Sequence, residues 1–359
     1  MNGFARVLLR SILSAASAAS LLCVQVSRAQ SAPAISSPSP AYREVTDELG
    51  RIVRVPQPVQ RIVSLAPSLT ETVYALGLQD HLVGDTDYCD YPPDAQKKPK
   101  VGGGINPSLE IIASLHPDIV LVTKGFNRLE TVQSLENLGI SSYATDPHNV
   151  DEIITSSKKL ADALGTPEAG ASIAGDMQRN LADLQRRIGP APAKRVLFVV
   201  WHQPLISVGK HTFIADALRL AGAVSIVDSE QDWPKVSLEE VARLQPDFLV
   251  FADSHSEATP STVETLATLP GWSILEAVSK RRYAVISDAV NRPAPRIVAA
   301  IEELARQLHP EAFREKLENK EKTEKENPPP NLPLAAHYSS SLDGVQHRMA
   351  FPGGCACAR

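Results

Sequence analysis

Apolar residues in the middle of the chain recur with the period of a helix. Ile173, Met177, Leu181, Leu184 and Ile188 are spaced four, four, three and four apart, which lays a single apolar stripe along a helix. Asp176, Asn180, Asp183, Arg186 and Arg187 fall largely off that stripe. Thr166 offers an N-cap, Pro167 suits the first helical position, and Glu168 sets a negative charge near the positive end of the dipole. Gly189 and Pro190 stop the helix. At about 1.5 Å per residue, Pro167 to Ile188 spans roughly 33 Å, enough for a strut between two bodies. A crossover helix inside one larger domain is the other reading of the same stripe.

The flanks decide between these readings. Ser-Leu-Glu-Ile-Ile-Ala-Ser-Leu-His-Pro-Asp occupies 108–118, and Ser-Leu-Glu-Glu-Val-Ala-Arg-Leu-Gln-Pro-Asp occupies 237–247. The offset is 129 throughout and seven of eleven residues are identical. Each copy leads into an apolar run, Ile119–Val122 and Phe248–Phe251, so each predicts a short helix, a Pro-Asp turn and a buried strand. Two related α/β lobes, one on each side of the helix, follow from the repeat.

The remaining pattern fills in those lobes. Thr46–Val55 reads as strand, turn, strand, and Arg61–Leu65 as a buried strand. Ser68 with Glu71 three residues later makes a capping box for a helix running to Leu76. After a short strand at Leu82–Gly84, residues 85–104 are irregular and rich in Tyr, Pro and Gly, and a loop of that length in a compact lobe is commonly functional. A helix near Leu129–Leu138, a strand at Ile140–Ala144 and a helix at Val150–Leu164 complete the first lobe. The second is predicted as a strand at Arg195–Trp201, helices near Phe213–Ala221 and Ser261–Thr268, a last strand at Arg282–Ser287 and a last helix at Pro295–Leu308. Strands alternating with helices give mainly parallel sheets covered on both faces. The expected fold is α/β: two Rossmann-like lobes, 44–165 and 190–311, joined by one rigid helix over 166–189, with a ligand cleft between them.

Composition adds the compartment. Arg6 and Arg10 precede an apolar, Ala-rich stretch at Ser11–Val26, and Ser27-Arg28-Ala29 offers small residues for signal-peptide cleavage near Ala29. Sixteen residues are short for a membrane span of about 20, so the chain is expected to be exported to the periplasm. Leu22 before Cys23 argues against a lipid anchor there. Residues 30–43 read as a flexible leader and 312–359, Lys/Glu- and then Pro-rich, as a disordered tail. Removing the three arginines of residues 1–29 leaves 33 basic against 41 acidic side chains, a net charge of −8, which argues against nucleic acid as a partner. Beyond Cys23 the cysteines are Cys89, Cys355 and Cys357, which is not a disulfide framework.

Several segments together resemble the substrate-binding proteins of ABC importers for cobalamin and iron–siderophore chelates. Thr46–Arg51 followed by Arg61–Ser68 is similar to the family's entry, and the resemblance runs from about residue 44 to 308. Asp90-Tyr91-Pro92-Pro93, Trp233–Ser237 and Asp288–Arg292 ahead of Pro295-Arg296-Ile297 resemble its cobalamin-binding branch. The resemblance implies two lobes on one rigid helix, small lobe motion, and a corrinoid or another metal chelate as cargo, with ferric siderophore or haem as the alternative. No permanent cofactor is implied.

A corrin is a broad disc with an apolar rim and amide arms, so it calls for flat aromatic walls and a few hydrogen-bonding groups. Tyr88 matches the aromatic the family uses from the first lobe; Tyr91 either joins it or packs under the loop. Trp201 and Trp233 are the candidate walls of the second lobe, each also readable as core. The resemblance carries ligand contact onto Asp288, Ala289, Val290, Asn291 and Arg292, where Asp288 would accept from amides and Arg292 donate to carbonyls or the phosphate; a salt bridge at a strand end is the alternative. Ala289 and Val290 stand where bulky aromatics are expected, and Gly102-Gly103-Gly104 where another is.

Glu110 and Glu239 occupy equivalent positions in the two repeats. They match the carboxylates with which the family docks on arginines of a permease dimer; capping-box residues at N3 are the alternative, and Glu240 is the neighbouring candidate. The receptor is expected to act as a monomer. No catalytic constellation stands out: His202 and His211 lack zinc-site spacing, Ser64 and Ser68 lack a nucleophile elbow, and 102–104 lacks a phosphate-loop pattern. A two-lobed enzyme such as a glycosyltransferase would need such a phosphate cradle.

Overall fold

The computed structural model describes residues 41–253 and 263–314. The signal sequence, Cys23, the leader up to residue 40, and Cys355 and Cys357 lie outside the described residues, as does the tail beyond residue 314. A first compact unit ends at His309; of the second, a 3-10 turn at Pro310–Phe313 is described.

An antiparallel ribbon opens the fold, β1 (Ala41–Thr46) on β2 (Ile52–Gln57). The reading of a leader through residue 43 is thereby corrected: Ala41, Tyr42 and Arg43 pair with Gln57, Pro56 and Val55. The first sheet contains β3 (Ile62–Ser64), β4 (Leu82–Gly84), β5 (Ile119–Thr123) and β6 (Ser142–Thr145), all parallel, in the order β4-β3-β5-β6. The second contains β7 (Lys194–Val199), β10 (Ala223–Ser225), β11 (Phe248–Asp253) and β12 (Tyr283–Ser287), also parallel, in the order β10-β7-β11-β12. Between β7 and β10 sits a small hairpin of β8 (Trp201–His202) and β9 (Leu205–Ile206). Counted within its own half, each main sheet reads 2-1-3-4. Alternation along the strands covers both faces of the first sheet: Ile62, Leu121 and Tyr143 enter one apolar cluster, Val63, Val120, Val122 and Ala144 the other.

The 129-residue repeat is a structural repeat as well. Helix α1 (Pro67–Ala75) follows β3; α2 (Leu109–Ser114) leads into β5. Ser108 caps α2 by accepting from the Ile111 amide, as Ser237 caps its counterpart by accepting from the Glu240 amide. The residue ahead of each proline, His116 or Gln245, turns left-handed at φ 45 or 46, because proline bars it from the right-handed helical region. Asp118 Oδ2 then accepts from the Gln60 and Arg61 amides at 2.7 and 2.8 Å, and Asp247 Oδ2 from the Arg195 amide at 2.8 Å. Each half thus staples its third strand to its first with the same carboxylate.

Helices α3 (Leu129–Asn137) and α4 (Val150–Leu164) finish the first lobe, and Gly165, left-handed at φ 84, turns the chain into the connecting helix α5 (Pro167–Ile188). Gly170 lets α5 cross α4 closely, since a Cβ there would lie 2.4 Å from the Ala161 Cβ. The buried stripe of α5 is Gly170, Ala174, Met177, Leu184 and Ile188, with Ile173 packed at its edge. Leu181 is half-buried. Thr166 sits at the N-cap without a side-chain capping bond; its Oγ1 is buried and unpartnered.

The second lobe carries α6 (Phe213–Leu220), α7 (Leu238–Leu244), α8 (Glu276–Ser279) and α9 (Ile297–Leu308), the last packing on both α5 and β12. The segment expected as a helix over 261–268 is a 3-10 turn at Val263–Thr268 where described.

Candidate functional site

The C-terminal ends of both parallel sheets carry the loops that face each other, the usual place for a ligand in α/β folds. In the first lobe the loop 85–104 is anchored by one ammonium. Lys100 Nζ donates to Asp85 Oδ1 at 2.8 Å, to the Ala95 carbonyl at 3.1 Å and to the Cys89 carbonyl at 3.2 Å. Asp85 is fully buried and its Oδ2 has no partner. Burial pushes its pKa from 3.8 up to about 6, against the opposing pull of Lys100. Cys89 is buried too, between the Thr70 and Thr86 hydroxyls at 3.2 Å each, and burial raises its thiol pKa.

This anchored loop leaves Tyr88 61% exposed, its ring edge lying along the Gly103 backbone. Gly104 has no room for a side chain: a Cβ would lie 2.1 Å from Phe126 Cε1 and 2.9 Å from the Leu65 carbonyl oxygen. Phe126, absent from the sequence reading, therefore takes the space beside the glycine run. Asn127 ties the area together, donating to the Leu65 and Gly104 carbonyls at 2.9 Å and accepting from the Thr123 amide at 2.7 Å.

In the second lobe the sheet strand ends at Val199, two residues before the sequence predicts, and the hairpin β8–β9 presents Trp201. Its indole donates to the Gln203 carbonyl at 2.7 Å and stacks near His202, ring centroids 6.0 Å apart. The stretch bearing Trp233 is held against the same hairpin, because the Ser207 amide donates to the Pro234 carbonyl and the Val236 amide to the Leu205 carbonyl. Trp233 is left exposed, so neither tryptophan is core.

Between the lobes lies a cluster of five charges. Glu71, on α1, receives Arg296 at two points, Nε on Oε2 at 2.9 Å and Nη2 on Oε1 at 2.8 Å, and Arg292 Nη1 on Oε1 at 2.8 Å. Asp288 Oδ2 lies 2.7 Å from Arg292 Nη2, and its Oδ1 3.2 Å from Arg296 Nη2. Asp90 Oδ1 lies 2.7 Å from Arg292 Nη2, a close ion pair. The Arg296 guanidinium covers the Tyr91 ring at 3.9 Å. Burial pulls both arginines' pKa values down, but Glu71 and Asp288, joined by Asp90 at Arg292, more than offset it and hold both above the usual value. A second link between the lobes runs from the Val150 amide to Asp216 Oδ2 at 3.0 Å.

The predicted residues divide accordingly. Tyr88, Trp201, Trp233 and Asn291 are exposed. Ala289 and Val290 are each 1% exposed, which corrects their assignment as ligand contacts: they form the inner side of a 3-10 turn packed on α9. Arg292 and Asp288 occupy the salt-bridge alternative rather than standing free. The Tyr91 ring lies under the Arg296 guanidinium. Glu71 caps nothing; Ala66 is the N-cap of α1, without a side-chain cap, and the expected Ser68–Glu71 box is absent. Glu110 and Glu239 are both exposed second residues of their helices, so neither is the N3 member of a capping box; Glu240 is the N3 residue and pairs with Arg243. Glu71, Asp90 and Arg296 were absent from the predicted site.

Comparison with known proteins places this arrangement. The family described as "Periplasmic binding protein" matches residues 62–289. The chain belongs to that family. This periplasmic binding protein is 31% identical over 256 residues to the vitamin B12-binding protein of Vibrio cholerae, covering 70% of this chain and 90% of the relative. The crystal structure of periplasmic vitamin B12 binding protein BtuF of Vibrio cholerae superposes with TM-score 0.61 at 29% identity, covering 70% of this chain and 97% of that one. The periplasmic haem-binding protein RhuT from Roseiflexus sp. RS-1 superposes with TM-score 0.63 at 27% identity, covering 71% and 99%. Among the described residues, no helix of this periplasmic binding protein is long and apolar enough to cross a membrane, and no group of three or more His, Cys, Asp or Glu is placed to hold a metal.

Proposed function

We propose that this periplasmic binding protein is exported, captures a corrinoid between its lobes, and delivers it to an inner-membrane ABC permease dimer. The observation that carries the reading is the 31% identity to a vitamin B12-binding protein over 90% of that relative's length. The exposed rings of Tyr88, Trp201 and Trp233 on both lobes support it, being suited to the flat, apolar faces of a corrin. Asn291 adds an exposed amide beside Asp288. The ion pairs joining the lobes support a receptor that closes little on its guest. Glu110 and Glu239 make no ion pair among the described residues and stand at equivalent helix starts, which suits them to meet two arginines of a two-fold partner. The protein works as a monomer, with residues 1–29 removed on export.

Titration calorimetry of the protein lacking residues 1–29 tests the reading. Saturable heat with cyanocobalamin is expected. The likeness to a haem-binding protein keeps haem as the second reading: heat with haemin and none with cyanocobalamin would replace the cargo while leaving the receptor.

A further inference from the structure

We infer that the five-charge cluster between the lobes selects against guests bearing carboxylates; the inference rests on the corrinoid reading and narrows it to uncharged, amide-fringed macrocycles. Glu71, Asp90 and Asp288 face only Arg292 and Arg296, so the cluster carries one surplus negative charge. Neither guanidinium is uncommitted: Arg292 serves three carboxylates and Arg296 two. A guest carboxylate arriving here meets no free donor of positive charge and two partly exposed acids.

The surrounding strand ends add to the imbalance. Asp253, exposed at the end of β11, is registered beside Ser287, next to Asp288, and Asp87 is exposed beside Tyr88. Three lysines of the loops beyond the strands are paired with acids: Lys100 with Asp85, Lys124 with Asp146, and Lys210 with Asp228 and Glu230. Lys235, beside Trp233, makes no ion pair among the described residues and enters the test for that reason. Peripheral amides of a corrin suit such a wall, because Asp90 and Asp288 can accept their N–H groups at no charge cost. Like charges in a partly desolvated cleft repel strongly.

Two guests differing by one charge put the matter directly. The protein lacking residues 1–29 is titrated with cyanocobalamin and with a monocarboxylic acid of it, one peripheral amide hydrolysed. The acid is expected to bind at least about tenfold more weakly at low salt, with a smaller gap near 0.5 M salt. Asp90→Asn and Asp288→Asn should each narrow the ratio, and Lys235→Ala should not. Equal affinities in the wild type, or a ratio unmoved by both neutralisations, would overturn the charge filter while leaving corrinoid binding intact. Absence of heat with cyanocobalamin overturns the corrinoid reading instead, and haemin against its dimethyl ester then decides the filter: preference for the ester supports it. Equal binding, preference for haemin, or binding of neither overturns it.

Discussion

Glu71 and Arg296 meet through two parallel hydrogen bonds of 2.8 and 2.9 Å although 225 positions separate them. The pair joins the first helix of one lobe to the start of the last helix of the other, and Arg292 shares the same carboxylate. The Glu71 side chain is 3% exposed, so removing its charge takes the two-point partner from Arg296 and one of three carboxylates from Arg292, leaving both arginines on Asp288.

Glu71→Gln is therefore expected to lower unfolding stability by about 2 kcal/mol, the loss of charge-assisted hydrogen bonds. Urea denaturation followed by tryptophan fluorescence measures this. A loss within experimental error of zero would mean that the lobes hold together without the pair.

Asp85 predicts a pH dependence of defined sign. Its pKa rises from 3.8 to about 6 on folding, so the folded state binds the extra proton, and stability attributable to this group falls as pH climbs from about 4 to about 6. Asp85→Asn keeps an acceptor for Lys100 and removes the titration. Its stability relative to wild type should rise across that window, by at most about 3 kcal/mol, and level off above it. A difference that is flat from pH 4 to 7 in matched denaturation curves would show that Asp85 titrates normally.

The aromatic walls are tested one at a time. Tyr88→Ala and Trp233→Ala should each weaken cyanocobalamin binding about tenfold or more, with the circular dichroism spectrum unchanged, because both rings are exposed and support no core. Wild-type affinity in either variant removes that residue from the site.

Docking separates from capture in the pair Glu110→Lys and Glu239→Lys. The double variant should bind cargo as the wild type does and fail to support uptake by cells that depend on it. Undiminished uptake would send the search for the permease contact elsewhere on the surface.

Gly170→Ala probes the seating of the connecting helix. With an added Cβ 2.4 Å from the Ala161 methyl, α4 and α5 must part, at an expected cost of about 2 kcal/mol. An unchanged melting temperature would show that the crossing has slack.

The architecture was legible because its signals are local. Apolar periodicity marked α5, Val150–Leu164 matched residue for residue, and the repeated Pro-Asp turn announced two equivalent sheets. What escaped were partnerships set by the fold. A Ser followed three residues later by a Glu looks the same whether the carboxylate turns back to its own helix or, as Glu71 does, reaches arginines more than two hundred residues away. Ala289 and Val290 were carried onto the site by the family resemblance alone, and only the turn at 288–291 shows that their side chains point inward. Phe126 filling the place beside Gly104 was invisible for the same reason: nothing in a run of three glycines says which distant ring will lie against it.

Because each half fastens its third strand to its first through the same aspartate, Asp118 or Asp247, the helix starts bearing Glu110 and Glu239 ride rigidly on their own sheets. The distance between those two tips is then a caliper reading of how far the halves stand apart. With the lobes tied through Glu71, a partner gripping both tips would meet nearly the same span whether or not cargo is bound.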